Sequence, residues 1–180
     1  VGEYTCHPSV HKATLEYLRA LAKAKRYPHC IWPPHCSIGT PGHNVVPQLT
    51  DALFYWVEQQ GNAVVDYVTK GSNPSVEHFS AVRAEVVDPN DPTTQLNAGF
   101  INTLMEAEEV LFAGEAGSHC LANTVRDIAD SFSDDSFIKK CVLLTDGTSP
   151  VPGFENYQTQ FVADMTARGM KTTTCADYLA

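Results

Sequence analysis

The sequence has little positive charge and no apolar run long enough to cross a membrane. No stretch of about 18 or more consecutive apolar residues occurs, which is the length a membrane-spanning helix needs. The 180 residues carry 12 Lys and Arg against 21 Asp and Glu, for a formal net charge of −9. Such a charge opposes sequence-independent binding to nucleic acid or to an anionic membrane surface. The first residues also lack the pattern of a signal or transit peptide. We therefore expect neither a nucleic-acid partner nor a membrane partner.

The six cysteines lack the paired spacing of a disulfide framework or a zinc ribbon. No CxxC pair occurs, and a chain of this length builds a core without disulfides. Free thiols are typical of a reducing compartment, so we expect a cytoplasmic protein. The cysteines are Cys6, Cys30, Cys36, Cys120, Cys141 and Cys175.

Short apolar segments alternate with amphipathic ones along the chain, which predicts a parallel, helix-covered sheet. Helical spacing of apolar residues predicts helices over 11–25, 47–60, 95–107, 121–131 and 158–169. Apolar, β-branched runs predict strands over 63–69, 109–114, 141–146 and 170–175. Three prolines and two glycines make residues 31–42 a structured loop. We expect one α/β domain over residues 1–180.

Three chemically useful side chains follow predicted strands: Lys70, Cys120 and Asp146. Ligand sites of parallel sheets lie outside the carboxyl ends of the strands, so these side chains are expected at one edge. Cys120 opens a predicted helix after a glycine-rich turn, where the helix dipole favours a thiolate. The alternatives stay open at this point. Cys120 also fits a buried structural cysteine, Lys70 a solvated charge, and Asp146 a turn or helix cap.

Three motifs in register carry a resemblance to a known family. They are Trp32-Pro-Pro-His-Cys-Ser-Ile-Gly-Thr-Pro-Gly42, Tyr67-Val-Thr-Lys-Gly-Ser-Asn-Pro74 with Phe79-Ser-Ala81, and Ala113-Gly-Glu-Ala-Gly-Ser-His-Cys120. Together they resemble the isochorismatase-like cysteine hydrolase superfamily, and most closely its nicotinamidase-related branch, from about Pro28 to the C-terminus. The resemblance implies a three-layer α/β/α fold with a mainly parallel sheet.

The resemblance also implies a site that hydrolyses the C–N bond of a small amide through a thioester. Cys120 would be the nucleophile, and Lys70 would support the thiolate and the developing charge. The backbone N–H groups of Ala116 and Cys120 would form the oxyanion hole, with a cis peptide bond at Glu115–Ala116. Trp32, Phe79 and His119 match positions that line the ring-binding pocket, although His119 also fits a hydrogen-bonded core histidine. A homo-oligomer is implied as well.

The metal site of nicotinamidases is matched at a single position, His35. Its other ligands include an Asp-x-His pair, and no Asp-x-His occurs in this sequence. Because one ligand does not hold a metal, we expect a zinc-like divalent metal only in a longer protein that supplies the pair, and otherwise no cofactor.

The N-terminal part of the sequence departs from the family pattern. Family members begin with an apolar strand ending in the Asp that acts as general base, followed by a second strand. Neither strand is found before Trp32, and Glu3 is the only acid before Glu16. We expect these residues to be the C-terminal part of a longer hydrolase. The alternative is a non-catalytic member that serves as a ligand-binding or assembly module. The long segment from Ser75 to Thr94 is expected to reshape the pocket mouth.

Overall fold

The computed structural model describes residues 5–61 and 63–180. The chain divides into two compact units, the first comprising residues 1–20 and 69–180 and the second Leu21–Val68. The single domain expected over residues 1–180 stays a prediction. Among the described residues, no helix is both long and apolar enough to span a bilayer.

The first unit is built around three short parallel strands: β1 (Val110–Phe112), β2 (Cys141–Leu144) and β3 (Lys171–Thr173). They lie in the order β1-β2-β3, with Leu111 opposite Val142 and Leu143 opposite Thr172. Parallel neighbours need crossover connections, and helices supply both of them. Helix α4 (Cys120–Ala129) links β1 to β2, and α5 (Glu155–Ala167) links β2 to β3. The predicted parallel α/β class is therefore the observed one.

The structure contains three further helices, of which two were predicted from the sequence and one was not. Helix α1 (His11–Ala24) crosses the boundary between the two units, α3 (Ala98–Glu106) precedes β1, and the short α6 (Cys175–Tyr178) follows β3. The first two match predicted helices within a few residues. Asn97 is the N-cap of α3, and its side chain accepts a hydrogen bond from the Phe100 N–H.

The hydrophobic core of the first unit lies between the sheet and its crossover helices. Val125 and Ile128 of α4 and Phe161 of α5 are at most 1% exposed, because i, i+3 and i+4 spacing puts them on the helix faces that meet the strands. Strand residues that belong to the same cluster are Val110, Phe112, Cys141 and Leu143. This packing fixes where α4 begins, and therefore where Cys120 lies.

The second unit contains α2 (Pro47–Gln59) and the predicted proline-rich loop. Residues 31–42 are largely irregular, with Cys36 at φ 50° and one 3-10 turn from Pro41 to His43. Helix α2 ends just before Gly61, at φ 54°, a conformation that glycine adopts without strain.

The strand predicted over residues 63–69 is wrong, and so is the placement of Lys70 at a strand end. Residues 63–70 belong to no helix or strand, and Val64 is 83% exposed. A strand exists through the ladder of hydrogen bonds to a neighbour, and β-branched residues alone do not supply one. Among the described residues, the paired strands are β1, β2 and β3, and residues 63–69 take part in neither pairing.

Candidate active site at the start of helix α4

A sharp turn carries the chain from β1 into α4. Gly114 adopts φ 112°, which favours glycine, and the Glu115–Ala116 peptide bond is cis. The Gly114 N–H donates to the Gly147 carbonyl at 2.7 Å, and the Gly117 N–H donates to the Ser149 carbonyl at 2.9 Å. These bonds tie the turn to the loop that follows β2. Cys120 is then the first residue of α4.

The structure brings Lys70 to Cys120 although the two are 50 residues apart in sequence. The Lys70 Nζ lies 3.4 Å from the Cys120 Sγ and donates a second hydrogen bond, of 2.8 Å, to the His78 carbonyl oxygen. A cation and the amino end of a helix both attract negative charge. In this structure both lie beside the Cys120 sulfur.

Two backbone N–H groups of the turn are available beside the thiol. Within the part of the chain that the structure describes, the Ala116 and Cys120 N–H groups donate to no protein acceptor. The Ala116 carbonyl is engaged instead, since it accepts from the N–H groups of His119 and Leu121, each at 3.0 Å. Unpaired N–H groups at a helix start can hold a negative oxygen.

His119 lies next to Cys120 in a cluster of aromatic rings. The imidazole is 4% exposed, and its Nδ1 is 2.9 Å from the Ser118 Oγ. Its centroid lies 5.7 Å from that of Phe79, 5.0 Å from that of Phe154 and 5.9 Å from that of Tyr157. Burial lowers the pKa of His119 below its usual 6.5, which favours a neutral imidazole at physiological pH.

Phe154 and Tyr157 are site residues that the sequence reasoning missed. They lie at the start of α5, directly after the loop that follows β2. The signal was present, because a helix that follows a strand begins at the same carboxyl edge of the sheet as Cys120. The two rings therefore lie beside His119 at that edge.

A cavity of about 380 Å³ lies beside Lys70 and its hydrogen-bond partner His78. The Lys70 and His78 side chains are among its lining residues, which also include Thr93, Gln95 and Asn97. Among the described residues, the buried His78 Nδ1 has no hydrogen-bond partner. Burial, followed by the Lys70 charge, lowers the pKa of His78.

Asp146 forms a structural hydrogen bond at a helix start, as the capping alternative predicts. Its Oδ1 accepts from the Cys175 N–H at 2.7 Å, at the start of α6. That bond lowers the pKa of the Asp146 carboxyl. The Asp146 carboxylate is therefore bound to the backbone just after β3. Glu3, the other acid considered, lies outside the described residues.

Trp32 and His35 lie in the second unit, so their proposed roles stay predictions. The His35 Nδ1 is 2.7 Å from the Pro33 carbonyl oxygen. Across residues 5–61 and 63–180, no three His, Cys, Asp or Glu side chains are grouped as metal ligands. The residues present thus do not form the donor set that a divalent metal requires.

Comparison with solved structures finds this fold among nicotinamidases. The yeast nicotinamidase Pnc1p superposes with a TM-score of 0.54 at 20% identity, over 79% of this chain and 57% of that one. The same yeast enzyme bound to the inhibitor nicotinaldehyde gives 0.57 at 18% identity, over 81% and 59%. An Acinetobacter baumanii nicotinamidase/pyrazinamidase gives 0.55 at 19% identity, over 83% and 62%.

The chain thus spans less than two thirds of the length of each of these three structures. No family model and no curated protein matches its sequence. The chain therefore has the α/β fold seen in these nicotinamidase structures.

Proposed function

We propose that this chain carries the nucleophilic half of a cysteine hydrolase that cleaves the C–N bond of a small amide. The observation that carries the proposal is the 3.4 Å contact between the Lys70 Nζ and the Cys120 Sγ at the first residue of α4. A lysine and a helix amino end that converge on one thiol serve nucleophilic catalysis. The fold shared with nicotinamidases supports the amide as substrate class.

In the proposed first half-reaction, the Cys120 Sγ attacks the amide carbonyl carbon and forms a C–S bond. The carbonyl oxygen becomes an oxyanion, which the N–H groups of Ala116 and Cys120 would hold. Collapse of this intermediate breaks the C–N bond, and the proton lost by the thiol leaves on the departing ammonia or amine. Water then hydrolyses the thioester, which releases the acid and returns the proton to the Cys120 thiol.

The family resemblance supplies the residue that would carry the proton. The family pattern places an Asp there, at the end of an apolar strand that this sequence does not contain. We assign full turnover to the protein that includes such a carboxylate. His35 alone is insufficient to hold a metal ion.

The pocket would bind the substrate through rings and a neutral imidazole. Phe79, Phe154 and Tyr157 surround His119, so a planar amide of the size of nicotinamide would stack beside the nucleophile. The segment from Ser75 to Thr94 forms part of the same surroundings through His78 and Phe79. Nicotinamide is therefore one candidate substrate among planar amides.

The test measures ammonia release and covalent labelling with the same protein. The full-length protein is incubated with nicotinamide, pyrazinamide and aliphatic amides, and the acyl adduct is located by peptide mass spectrometry. We expect ammonia and an adduct on Cys120, both lost in Cys120→Ala. Cys36→Ala is the matched control, because Cys36 is an exposed loop cysteine outside the Lys70 contact.

Two outcomes would contradict the proposal. Turnover that survives Cys120→Ala would show that another group is the nucleophile. Amide binding without ammonia or adduct, in a protein that includes the carboxylate, would instead favour the non-catalytic ligand-binding alternative.

A further inference from the structure

One face of α4 carries the nucleophile and two residues that bind another part of the chain. Cys120, Thr124 and Asp127 are spaced i, i+4 and i+7, so they share a face of the helix. The Thr124 Oγ1 donates to the Cys120 carbonyl at 2.8 Å. The Asp127 side chain is 1% exposed, and a carboxylate so deeply buried requires a partner.

The partner is the stretch of residues 77–84, here called the docking segment. The Ala81 N–H donates to the Thr124 Oγ1 at 3.0 Å, and the Arg83 Nη2 donates to the Asp127 Oδ1 at 2.8 Å. Ala81 and Arg83, which are two positions apart in the segment, thus bind Thr124 and Asp127, which are three positions apart on α4. These two bonds define the register of the segment along the helix.

The alternate residues of the docking segment are buried on its other side. Ser80, Val82 and Ala84 are at most 2% exposed. The Ala84 N–H donates to the Thr94 carbonyl at 2.9 Å, and the Val82 carbonyl accepts from the Asn97 N–H at 2.7 Å. Because both sides are held, a displacement at Arg83 would be transmitted along the segment rather than absorbed at one residue.

The amino-terminal part of the segment holds the lysine. The His78 carbonyl accepts one hydrogen bond from the Lys70 Nζ, and the same Nζ reaches the Cys120 Sγ. A closed chain of contacts therefore runs from Cys120 along α4 to Asp127, through Arg83 and the docking segment to His78, and back through Lys70.

We propose that Arg83 is a positioning residue of this site. Its ion pair with Asp127 sets the register of the docking segment on α4, and with it the distance between the Lys70 Nζ and the Cys120 Sγ. The inference rests on the proposed function, since it assigns Arg83 a part in activating that nucleophile. Arg83 itself touches neither the thiol nor the lysine in the contacts described above.

The test is the rate of Cys120 alkylation by iodoacetamide at pH 7, which needs no substrate. Tryptic cleavage isolates Cys120 from the other cysteines, because residues 71–126 contain no second cysteine. If loss of the ion pair widens the 3.4 Å separation to about 6 Å, Coulomb's law weakens the support that the ammonium gives to the attacking sulfur. We therefore expect the rate in Arg83→Met to fall about two- to threefold.

The controls separate positioning from general destabilisation. Arg83→Lys keeps a cation for Asp127 and is expected to recover most of the wild-type rate. Arg126→Met removes the other ion pair of α4, in which Arg126 Nη2 lies 3.1 Å from Asp164 Oδ2, together with its contact over the Phe161 ring. Because that pair lies outside the chain of contacts, its loss is expected to leave the alkylation rate unchanged.

Lys70→Met, measured in parallel, distinguishes the two possible failures. If Lys70→Met slows alkylation and Arg83→Met does not, the positioning role of Arg83 is overturned while the proposed nucleophile stands. If Lys70→Met leaves the rate unchanged, the proposed activation of Cys120 by Lys70 fails first. If Arg126→Met slows alkylation as much as Arg83→Met, the effect is general to α4 and the inference fails. If Arg83→Met does not fold, the milder Asp127→Asn carries the same expectation.

Discussion

Replacement of Gly117 by alanine tests whether the turn before Cys120 is packed as tightly as the structure indicates. A Cβ at residue 117 would lie 2.7 Å from the Gln158 Cδ and 2.8 Å from the Thr148 Oγ1. Both separations are far shorter than ordinary contact. Thr148 is 8% exposed, and its hydroxyl donates to the Gly114 carbonyl at 2.7 Å. It therefore has little room to rotate away without breaking a bond of the turn.

The expected cost combines overpacking with the loss of a hydrogen bond. Insertion of one methyl group into a packed site costs about 1–3 kcal/mol, and a broken Thr148 bond about 1 kcal/mol more. We take about 2–3 kcal/mol, because the Gln158 side chain absorbs part of the strain. For a chain of this size each kcal/mol lowers Tm by about 2–4 °C. We therefore expect Gly117→Ala to lower Tm by about 4–12 °C.

Gly99→Ala is the matched control, and its expected effect has the opposite sign. Residue 99 lies in α3, and the nearest atom to a Cβ there is the Asn97 Oδ1, at 3.6 Å. Alanine is the better helix former by about 0.5–1 kcal/mol, so Tm should rise slightly. The assay is thermal unfolding followed by circular dichroism. A Gly117→Ala variant as stable as the wild type, or a Gly99→Ala variant equally destabilised, would refute the packing argument.

Three further predictions concern charge and titration. Lys70→Met removes a cation 3.4 Å from the thiol, and Coulomb's law with effective dielectrics of about 40–80 makes that interaction worth about 1–2.5 kcal/mol. We therefore expect Cys120 alkylation at pH 7 to slow by about three- to eightfold. An unchanged rate contradicts the pairing. Burial raises the pKa of Cys141 to about 12, so maleimide at pH 7 should label Cys120 and spare Cys141 until the protein unfolds; equal labelling in the native state contradicts this. Because burial lowers the folded-state pKa of His119 below 6.5, the unfolded state binds its proton first, and the free energy of unfolding should decrease as the pH falls below 6.5. His119→Asn should flatten that slope in denaturant titrations at pH 7 and pH 5, and a slope as steep as that of the wild type would show that His119 is not its source.

The local elements were readable from the sequence because their signals are local. The period of apolar residues predicted the crossover helices, and the apolar runs predicted β1, β2 and β3. The glycine-rich turn into Cys120 was readable as well, since Gly114 adopts a backbone conformation that suits glycine. Each of these predictions depends only on neighbouring residues.

The failure over residues 63–69 has the opposite cause. These residues have the composition of a strand, but strand formation depends on a partner that composition does not specify. The two alternatives for Asp146 were undecided for a similar reason. Its role follows from the Cys175 N–H, which reaches it from 29 residues away.

By itself the sequence determined the parallel α/β class, the turn that opens α4 and the nucleophile candidate Cys120, because these follow from period, turn chemistry and motif. Only the tertiary structure decided which groups surround that thiol. It brought Lys70 within 3.4 Å, gathered Phe154 and Tyr157 around His119, and joined Arg83 to Asp127. The physical reason is that these contacts join residues 35 to 50 positions apart, and packing of the whole chain rather than any local preference brings such residues together.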